Sequence, residues 1–427
     1  MRILVLSNLY PPDVIGGYEL ACEQVADALR GNGHDVLVLT SAPRQPVDNI
    51  PHVRRTLRLT DIWNQYWMGK QAPLTQFLLD AESRLVNAFN VQALTTTLEE
   101  FDPEVVYVCN VTGLGGLGMI ATLQHLEVPW VWQLGDSVPS YICSIWDKVV
   151  PALAREFGRQ AKGTFVAVSS RLVEEIEGLG VPLNGRIAVL PYWIQGDRKP
   201  IQKEYLKGGR LRVVSAGRLT PYKGIDLLIE ALARLVEEGF DNVELDLFGT
   251  VADVDVAYYP NLIRRFDLQD RVRLLGSRPQ SELLRLYANY DVFAFPTWPR
   301  EPFGLGPVEA AAHGGCVPLI AQNCGLAEWL VHGVHCLKAA TTADAFAGSL
   351  RAILEGRIDL VSLARRASNV IWNDFHLDAI VPWIERLLIE AANEPRPGRA
   401  GTAAEAYRMA LLAEKLSQVM ITEAHCA

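Results

Sequence analysis

Residues 212–224 read Arg-Val-Val-Ser-Ala-Gly-Arg-Leu-Thr-Pro-Tyr-Lys-Gly, which is a short apolar run, a glycine-containing turn and the start of a helical pattern. The same succession recurs along the chain, and this alternation is typical of parallel sheets built from βαβ units. The first half contains the runs Ile3–Ser7, Val36–Thr40, Val105–Cys109, Trp130–Leu134, Phe165–Val168 and Ile187–Leu190. The second half contains Arg212–Ala216, Glu244–Phe248, Val272–Leu275, Val292–Phe295, Val317–Ile320 and His335–Lys338. The sequence therefore predicts an α/β protein with two doubly wound, Rossmann-like domains.

The length and composition agree with two domains. The chain has 427 residues, of which 49% are hydrophobic, and this is enough for two cores of ordinary size. We place an N-terminal domain at residues 1–195 and a C-terminal domain at 205–374, because the stretch 191–209 is polar and irregular. The tail, 395–427, has apolar residues at helical spacing, which predicts a partly helical segment that could mediate oligomerisation. These residues are Met409, Leu412, Ala413, Leu416 and Met420.

Charge and cysteine usage narrow the class of protein. The net charge of −9, without a long basic run, argues against a nucleic-acid-binding protein, which needs clustered Lys and Arg to neutralise phosphates. The seven cysteines lack a CxxC spacing, which favours reduced thiols over disulfides or a zinc site. The first apolar run is too short for a secretory signal, and no charge-free run of about 18 apolar residues predicts a membrane span. We therefore expect a cytoplasmic protein.

Two cations follow the strand that opens the second half. Arg218 and Lys223 lie on the loop that begins at Gly217. Loops at the carboxyl ends of parallel strands bind ligands in open sheets. An arginine fork and a lysine point charge can flank a diphosphate, whose negative charge grows as a glycosidic bond to it breaks. The loop is therefore predicted to bind the diphosphate of a sugar nucleotide.

Two carboxylates and a helix start follow the strand Val292–Phe295. Residues 301–309 read Glu-Pro-Phe-Gly-Leu-Gly-Pro-Val-Glu, with Glu301 on the loop and Glu309 inside the predicted helix. Carboxylates accept hydrogen bonds from ribose and hexose hydroxyls. The positive helix end adds backbone N–H groups that face the same cleft. These groups belong to Phe303, Gly304 and Leu305.

A glycine pair precedes the first predicted helix. Gly16 and Gly17 follow the first strand, and glycine lets the backbone approach a ligand closely. Helix N-termini attract phosphates, so we expect the pair to bind the donor. Glu19 and Asp136 are candidates for contacts with the acceptor or sugar, although a helix or turn cap explains Asp136 equally well.

Together these motifs resemble the GT-B glycosyltransferases of the large retaining group called glycosyltransferase family 4. The resemblance runs from Met1 to about Ala392. It rests on Gly-Gly-Tyr-Glu at 16–19, Gly-Arg-Leu with Lys-Gly within 217–224, the two glutamates of 301–309, and a Gly-x-x-Glu turn at 325–328. It implies two Rossmann-like domains that face each other across a cleft, with a final helix, 375–394, that packs back on the first domain.

The resemblance also implies a reaction. A sugar would pass from a UDP-, GDP- or ADP-sugar to a small-molecule, glycan or lipid-linked acceptor, with retention of configuration and without a metal or other cofactor. Arg218 and Lys223 would hold the diphosphate, Glu309 the ribose, and Glu301 with the amides after it the transferred sugar. Front-face attack, with the donor phosphate as proton acceptor, would retain the configuration. The family's histidine is replaced here by Gly135, which bears on the identity of the donor sugar.

Other functions remain open at this stage. Residues 113–118 match GxGxxG after a strand, with Asp136 about 20 residues further along, so an NAD-dependent oxidoreductase is the alternative enzyme class. Against it, the match lies in a middle βαβ unit and leaves Arg218, Lys223 and the two glutamates of 301–309 unexplained. The missing histidine leaves a non-catalytic sugar-nucleotide-binding relative possible, and a 2-epimerase can share the two-domain fold.

Three further patterns have a functional and a structural interpretation. Asp253-Val254-Asp255 matches a DxD metal motif, and an acidic surface turn is the simpler explanation. His332 and His335 could bind a metal, although hydrogen-bonded loop histidines are commoner. The aromatic segment 62–68 could line an acceptor pocket or cover the edge of a sheet.

Overall fold

The computed structural model describes residues 1–60, 72–251 and 257–394. The chain forms two compact units. The first contains Met1–Leu190 and the residues from Val381, and the second contains Pro191–Ile380. The first unit thus ends before residue 195, because the stretch after Pro191 contributes to the second unit. There Tyr192 and Trp193 are buried, and the ring of Tyr192 lies 6.0 Å from that of Phe303. The aromatic segment 62–68, the Asp253-Val254-Asp255 motif and the tail from residue 395 lie outside the described residues.

The first unit is built on a parallel sheet that contains seven strands in its described part, in the order β3-β2-β1-β4-β5-β8-β9. These strands are β1 Arg2–Ser7, β2 Asp35–Ser41, β3 Val53–Leu57, β4 Val105–Asn110, β5 Trp130–Leu134, β8 Thr164–Ala167 and β9 Arg186–Val189. An antiparallel hairpin consists of β6 Ser144–Ile145 and β7 Lys148–Val149. β3 was not predicted, because Arg54 and Arg55 interrupt its apolar pattern.

Helices connect these strands. They are α1 Gly17–Gly31, α2 Pro73–Arg84, α3 Ala88–Phe101, α4 Gly116–His125, α5 Val138–Ile142, α6 Pro151–Gln160 and α7 Ser170–Gly178. In α1 the residues Cys22, Val25, Ala26 and Leu29 recur at helical spacing and are buried, which makes one face of the helix apolar. The chain leaves β1 toward β2 on one side and returns to β4 on the other. The carboxyl ends of β1 and β4 therefore form the switch point of the sheet, where ligands bind in such folds.

The second unit repeats this plan with six parallel strands in its described part, in the order β12-β11-β10-β13-β14-β15. They are β10 Leu211–Ala216, β11 Val243–Phe248, β12 Val272–Gly276, β13 Val292–Phe295, β14 Val317–Ala321 and β15 Leu337–Ala339. The α-helices are α8 Ile225–Glu237, α9 Tyr258–Arg265, α10 Gln280–Leu286, α11 Leu305–Gly314, α12 Ala343–Leu354, α13 Leu360–Asp374 and α14 Leu377–Ala392. The switch point of this sheet lies between β10 and β13, so the loops after these two strands meet there.

All twelve predicted strands are confirmed, and their ends differ from the prediction by at most two residues. Two doubly wound parallel sheets confirm the predicted fold class. The last described helix, α14, begins in the second unit, and its residues from Val381 belong to the first. There Asn32 donates to Glu385 at 2.9 Å, and Arg186 pairs with Glu390 at 2.6 Å. In the described residues, no helix combines the length and the apolar composition needed to cross a membrane.

Candidate functional site

The switch point of the second sheet brings together a lysine and a glutamate that are far apart in the sequence. Lys223 ends a short 3₁₀ turn after β10, and its ammonium donates to Oε2 of Glu301 on the loop after β13. Thr297, which is fully buried, donates its hydroxyl to the same oxygen at 3.2 Å. The side chains of Lys223 and Glu301 are 20% and 13% exposed. The pair is thus held in place and remains within reach of a ligand.

The two loops that carry this pair also contact each other directly. Trp298 donates its backbone N–H to the carbonyl of Tyr222 at 2.9 Å, and the two rings lie with centroids 5.0 Å apart and planes tilted by 38°. Gly224 has a φ of +70°, and a Cβ there would lie 2.2 Å from the carbonyl oxygen of Pro296. Only glycine allows this approach without a shift of the backbone. The close packing fixes where Lys223 stands relative to Glu301.

The helix after Glu301 begins without a side-chain cap. α11 begins at Leu305, and its N-cap is Gly304, which has a φ of +112° and no side chain to cap the helix. The first-turn N–H groups of a helix lack intrahelical partners and favour anions. Phe303 is buried, and its carbonyl accepts the N–H of Leu326 at 3.1 Å. The neighbouring Gly325 donates to the carbonyl of Glu301 at 2.9 Å, so the predicted Gly-x-x-Glu turn supports this loop through its backbone.

Glu309 lies one turn into α11 and is partly buried. Burial raises the pKa of its carboxyl to about 7, and a hydrogen bond from the side-chain amide of Gln280 opposes this rise. Arg218 and Gly217 are exposed on the loop after β10. Sequence analysis missed Thr297 and Gln280, because only the tertiary contacts show that each one bonds to a predicted site carboxylate.

The loop after β1 in the first unit is hydrogen-bonded to the first turn of α1. Glu19 accepts the N–H groups of Ile15 at 3.2 Å and Gly16 at 2.9 Å, and only 3% of its surface is exposed. Glu19 therefore caps the start of α1. These bonds are those of a helix N-terminal capping motif, and the contact of Glu19 with an acceptor or sugar stays a prediction. Gly16 and Gly17 are exposed beside it.

Asp136 and Gly135 follow β5 at the same edge of the first sheet. The hydroxyl of Tyr18 accepts the N–H of Gly135 at 2.6 Å, so the start of α1 is tied to the loop after β5. Asp136 is exposed, and its Oδ1 accepts the adjacent N–H of Ser137 at 2.8 Å. An exposed carboxylate in this position can still accept a hydrogen bond from a ligand hydroxyl.

Backbone N–H groups of the GxGxxG stretch at residues 113–118 are hydrogen-bonded to other parts of the chain. The N–H of Gly115 donates to the carbonyl of Ser83 at 2.9 Å, and that of Gly118 donates to Leu85 at 2.7 Å. A Cβ on Gly115 would lie 2.1 Å from the backbone nitrogen of Asn87. The amides that a dinucleotide fingerprint offers to a pyrophosphate are thus used inside the protein, and this removes the structural basis of the oxidoreductase hypothesis.

His332 and His335 each accept a hydrogen bond from a backbone N–H group. Nδ1 of His332 accepts the N–H of Lys338 at 2.8 Å, and Nδ1 of His335 accepts that of Val331 at 3.3 Å. In the part of the chain that the structure describes, no three His, Cys, Asp or Glu side chains are grouped so that they could hold a metal ion.

Family models match each half of the chain. Residues 16–193 match the model described as a glycosyl transferase 4-like domain, and residues 197–370 match the model described as glycosyl transferases group 1. A glycogen synthase of Mycobacterium tuberculosis is 25% identical over 415 residues, which is 93% of this chain and 97% of that protein.

Solved structures share the two-unit fold. Sucrose-phosphate synthase from Thermosynechococcus elongatus has a TM-score of 0.67 at 19% identity, and the match covers 91% of this chain and 98% of the other. HepE of Anabaena in complex with UDP-glucose has a TM-score of 0.61 at 21% identity, over 91% of this chain and 100% of the other.

Proposed function

Because this chain is a glycosyltransferase of EC class 2.4 with the GT-B fold, we propose that it is a retaining enzyme of the family 4 type. It moves a sugar from a nucleotide diphosphate sugar to an acceptor hydroxyl. The contact between Lys223 and Glu301, beside the uncapped start of α11, carries this proposal. It joins a cation, a carboxylate and the start of a helix at the switch point of one sheet, which is the chemistry that a sugar diphosphate needs.

Each group in the second unit has a proposed role. Arg218 and Lys223 stabilise the departing diphosphate, and the N–H groups at the start of α11 add positive potential. Glu301 accepts hydrogen bonds from the hydroxyls of the transferred sugar, and Glu309 accepts those of the ribose. Thr297 holds Glu301 in position through its 3.2 Å hydrogen bond.

The proposed reaction retains the anomeric configuration by front-face attack. The acceptor oxygen forms its bond to the anomeric carbon on the face from which the diphosphate leaves, while the bond from that carbon to the phosphate oxygen breaks. The proton of the acceptor hydroxyl passes to the departing phosphate. Negative charge on the diphosphate is greatest in the transition state, so fixed cations beside it accelerate the reaction.

We propose that the first unit binds the acceptor, a small molecule, a glycan or a lipid-linked sugar. Asp136 is the candidate that orients an acceptor hydroxyl, because it is exposed at the carboxyl end of β5. Gly16 and Gly17 remain candidates for an anionic group of the substrate. Gly135, next to Asp136, has no side chain at the position where the enzymes that this chain resembles carry a histidine.

Two further properties belong to the proposal. The reaction needs no metal, because Arg218, Lys223 and the start of α11 supply the positive field that a metal ion supplies elsewhere. The enzyme works in the cytoplasm, and the six cysteines in its described residues are unpaired and buried, which suits a reducing compartment.

A thermal-shift panel tests the proposed donor. UDP, GDP and ADP, and the glucose derivative of each, are added to the parent protein. A ligand at 100 times its Kd should raise the free energy of unfolding by about 2.7 kcal/mol, because it binds the folded state alone. We expect one base to raise the Tm and the Lys223→Ala variant to lose that rise. A parent protein that responds to none of the six would contradict the proposed donor.

A further inference from the structure

The bond between Gln280 and Glu309 joins two elements that follow different strands. Gln280 is the first residue of α10, which comes after β12, whereas Glu309 lies in α11, which comes after β13. The side-chain amide of Gln280 donates to Oε1 of Glu309. This bond fixes the position of Oε1. The orientation of the second carboxylate oxygen is therefore set by a residue that follows the edge strand β12.

The bond from Gln280 affects the pKa of the Glu309 carboxyl. The carboxyl is partly buried, and burial raises its pKa, whereas the Gln280 amide lowers it. Among the described residues, the phenol of Tyr287 also interacts electrostatically with Glu309; it is buried and stays neutral because its pKa lies far above the ordinary value. Near neutral pH the Gln280 amide therefore favours the ionised carboxylate, the form that accepts two hydroxyl donors.

We propose that Gln280 is a positioning residue that orients Glu309 toward the ribose hydroxyls and thereby makes the site select ribonucleotides over 2′-deoxyribonucleotides. The inference rests on the proposed function, because it takes Glu309 as the residue that binds the ribose. The vicinal hydroxyls of ribose can donate to one carboxylate together, and a 2′-deoxyribose offers only one of the two donors. A hydrogen bond to a charged group that is lost in this way corresponds to about a 10-fold loss of affinity or more.

Calorimetry on the full chain tests the proposal with UDP, GDP and ADP, each paired with its 2′-deoxy counterpart. The ratio of the two Kd values is the readout. Both members of a pair carry the same diphosphate, so protonation of the diphosphate affects both Kd values equally and cancels in the ratio. We expect the parent to prefer the ribonucleotide by about 10-fold or more. In Gln280→Met, which keeps the length of the side chain and removes the donor, the ratio should fall to about 2 or less.

Controls separate this role from a structural one. Gln280→Ala, which removes the donor and most of the side chain, should lower the ratio of Kd values as Gln280→Met does. Ser281→Ala, at the exposed next residue of α10, should leave the ratio unchanged. The pH at which the preference for ribose appears should move upward in Gln280→Met, because the lost bond lowered the pKa of Glu309. A loss of packing alone would weaken both nucleotides equally and leave the ratio and its pH dependence as in the parent.

The outcomes are distinct. A Gln280→Met variant that keeps the preference overturns the role of Gln280 alone. A parent that binds a ribonucleotide and its deoxy form equally overturns the ribose role of Glu309, and that of Gln280 with it, while the proposed sugar transfer still stands. A parent that binds none of the three ribonucleotides overturns the proposed function, and the inference with it.

Discussion

Lys223→Ala and Glu301→Gln should change nucleotide binding in opposite directions. Lys223 donates to Glu301, so the carboxylate neutralises part of the lysine's charge before a donor binds. Removing the lysine should slow transfer by about 10²-fold or more, equivalent to about 3 kcal/mol, because one preorganised group no longer stabilises the departing diphosphate. Removing the negative charge of Glu301 should instead tighten binding of free UDP.

The size of the second effect follows from Coulomb's law. A unit charge about 7 Å from the diphosphate, at an effective dielectric constant of about 40, is worth about 1 kcal/mol, which is about fivefold in affinity. The amide of Glu301→Gln still accepts from Thr297 and Lys223, so the loop keeps its shape. The variant should nevertheless transfer the sugar at least about 10-fold more slowly, because a charged acceptor for the sugar hydroxyls is lost.

Binding of UDP, or of the nucleoside diphosphate that the thermal-shift panel selects, is measured by calorimetry, and turnover by its release from the sugar nucleotide. Lys207→Ala and Glu237→Gln make the same changes in net charge at exposed sites of the second unit and serve as matched controls. The double variant should differ from the sum of the single changes, because the two residues are in contact. Equal losses of UDP affinity in both single variants, or a Lys223→Ala enzyme within twofold of the parent rate, would refute the assigned roles.

Three further predictions concern pH, metals and the space at residue 135. Burial raises the pKa of Glu309 from 4.5 to about 7, so its contribution to the free energy of unfolding is present below pH 4.5 and is lost as the pH rises through 7. Glu309→Gln should therefore raise the Tm at pH 8 and not at pH 4. An equal change in Tm at both pH values would contradict this. Turnover should survive EDTA, whereas a chelator-inactivated enzyme restored by Mg²⁺ or Mn²⁺ would implicate Asp253 and Asp255. Gly135→His should lower turnover, because the imidazole would occupy space beside the Tyr18 hydroxyl and Asp136; a faster variant would show that the glycine weakens the enzyme.

Much of the fold could be predicted from the sequence, because the signals are local. A strand buried on both faces reads as a continuous apolar run, and the turn and helix after it follow within a few residues. β3 escaped prediction because Arg54 and Arg55 break its apolar run. The position of Arg218 and Lys223 after β10 was equally visible, since a loop that follows a parallel strand lies at the carboxyl edge whatever the order of the strands.

The sequence by itself thus determined two doubly wound sheets and the loops that carry the candidate site, whereas only the tertiary structure decided which side chains meet. Lys223 and Glu301 are in contact because β10 and β13 are neighbours, and this strand order is set by packing between distant segments. The same holds for the bond from Gln280 to Glu309. The glycines at 113–118 show the converse, because their spacing is that of a dinucleotide site and the chain's own backbone at Ser83 and Leu85 occupies their amides. Spacing specifies which groups a loop can offer, and long-range packing determines whether a ligand or the protein itself takes them.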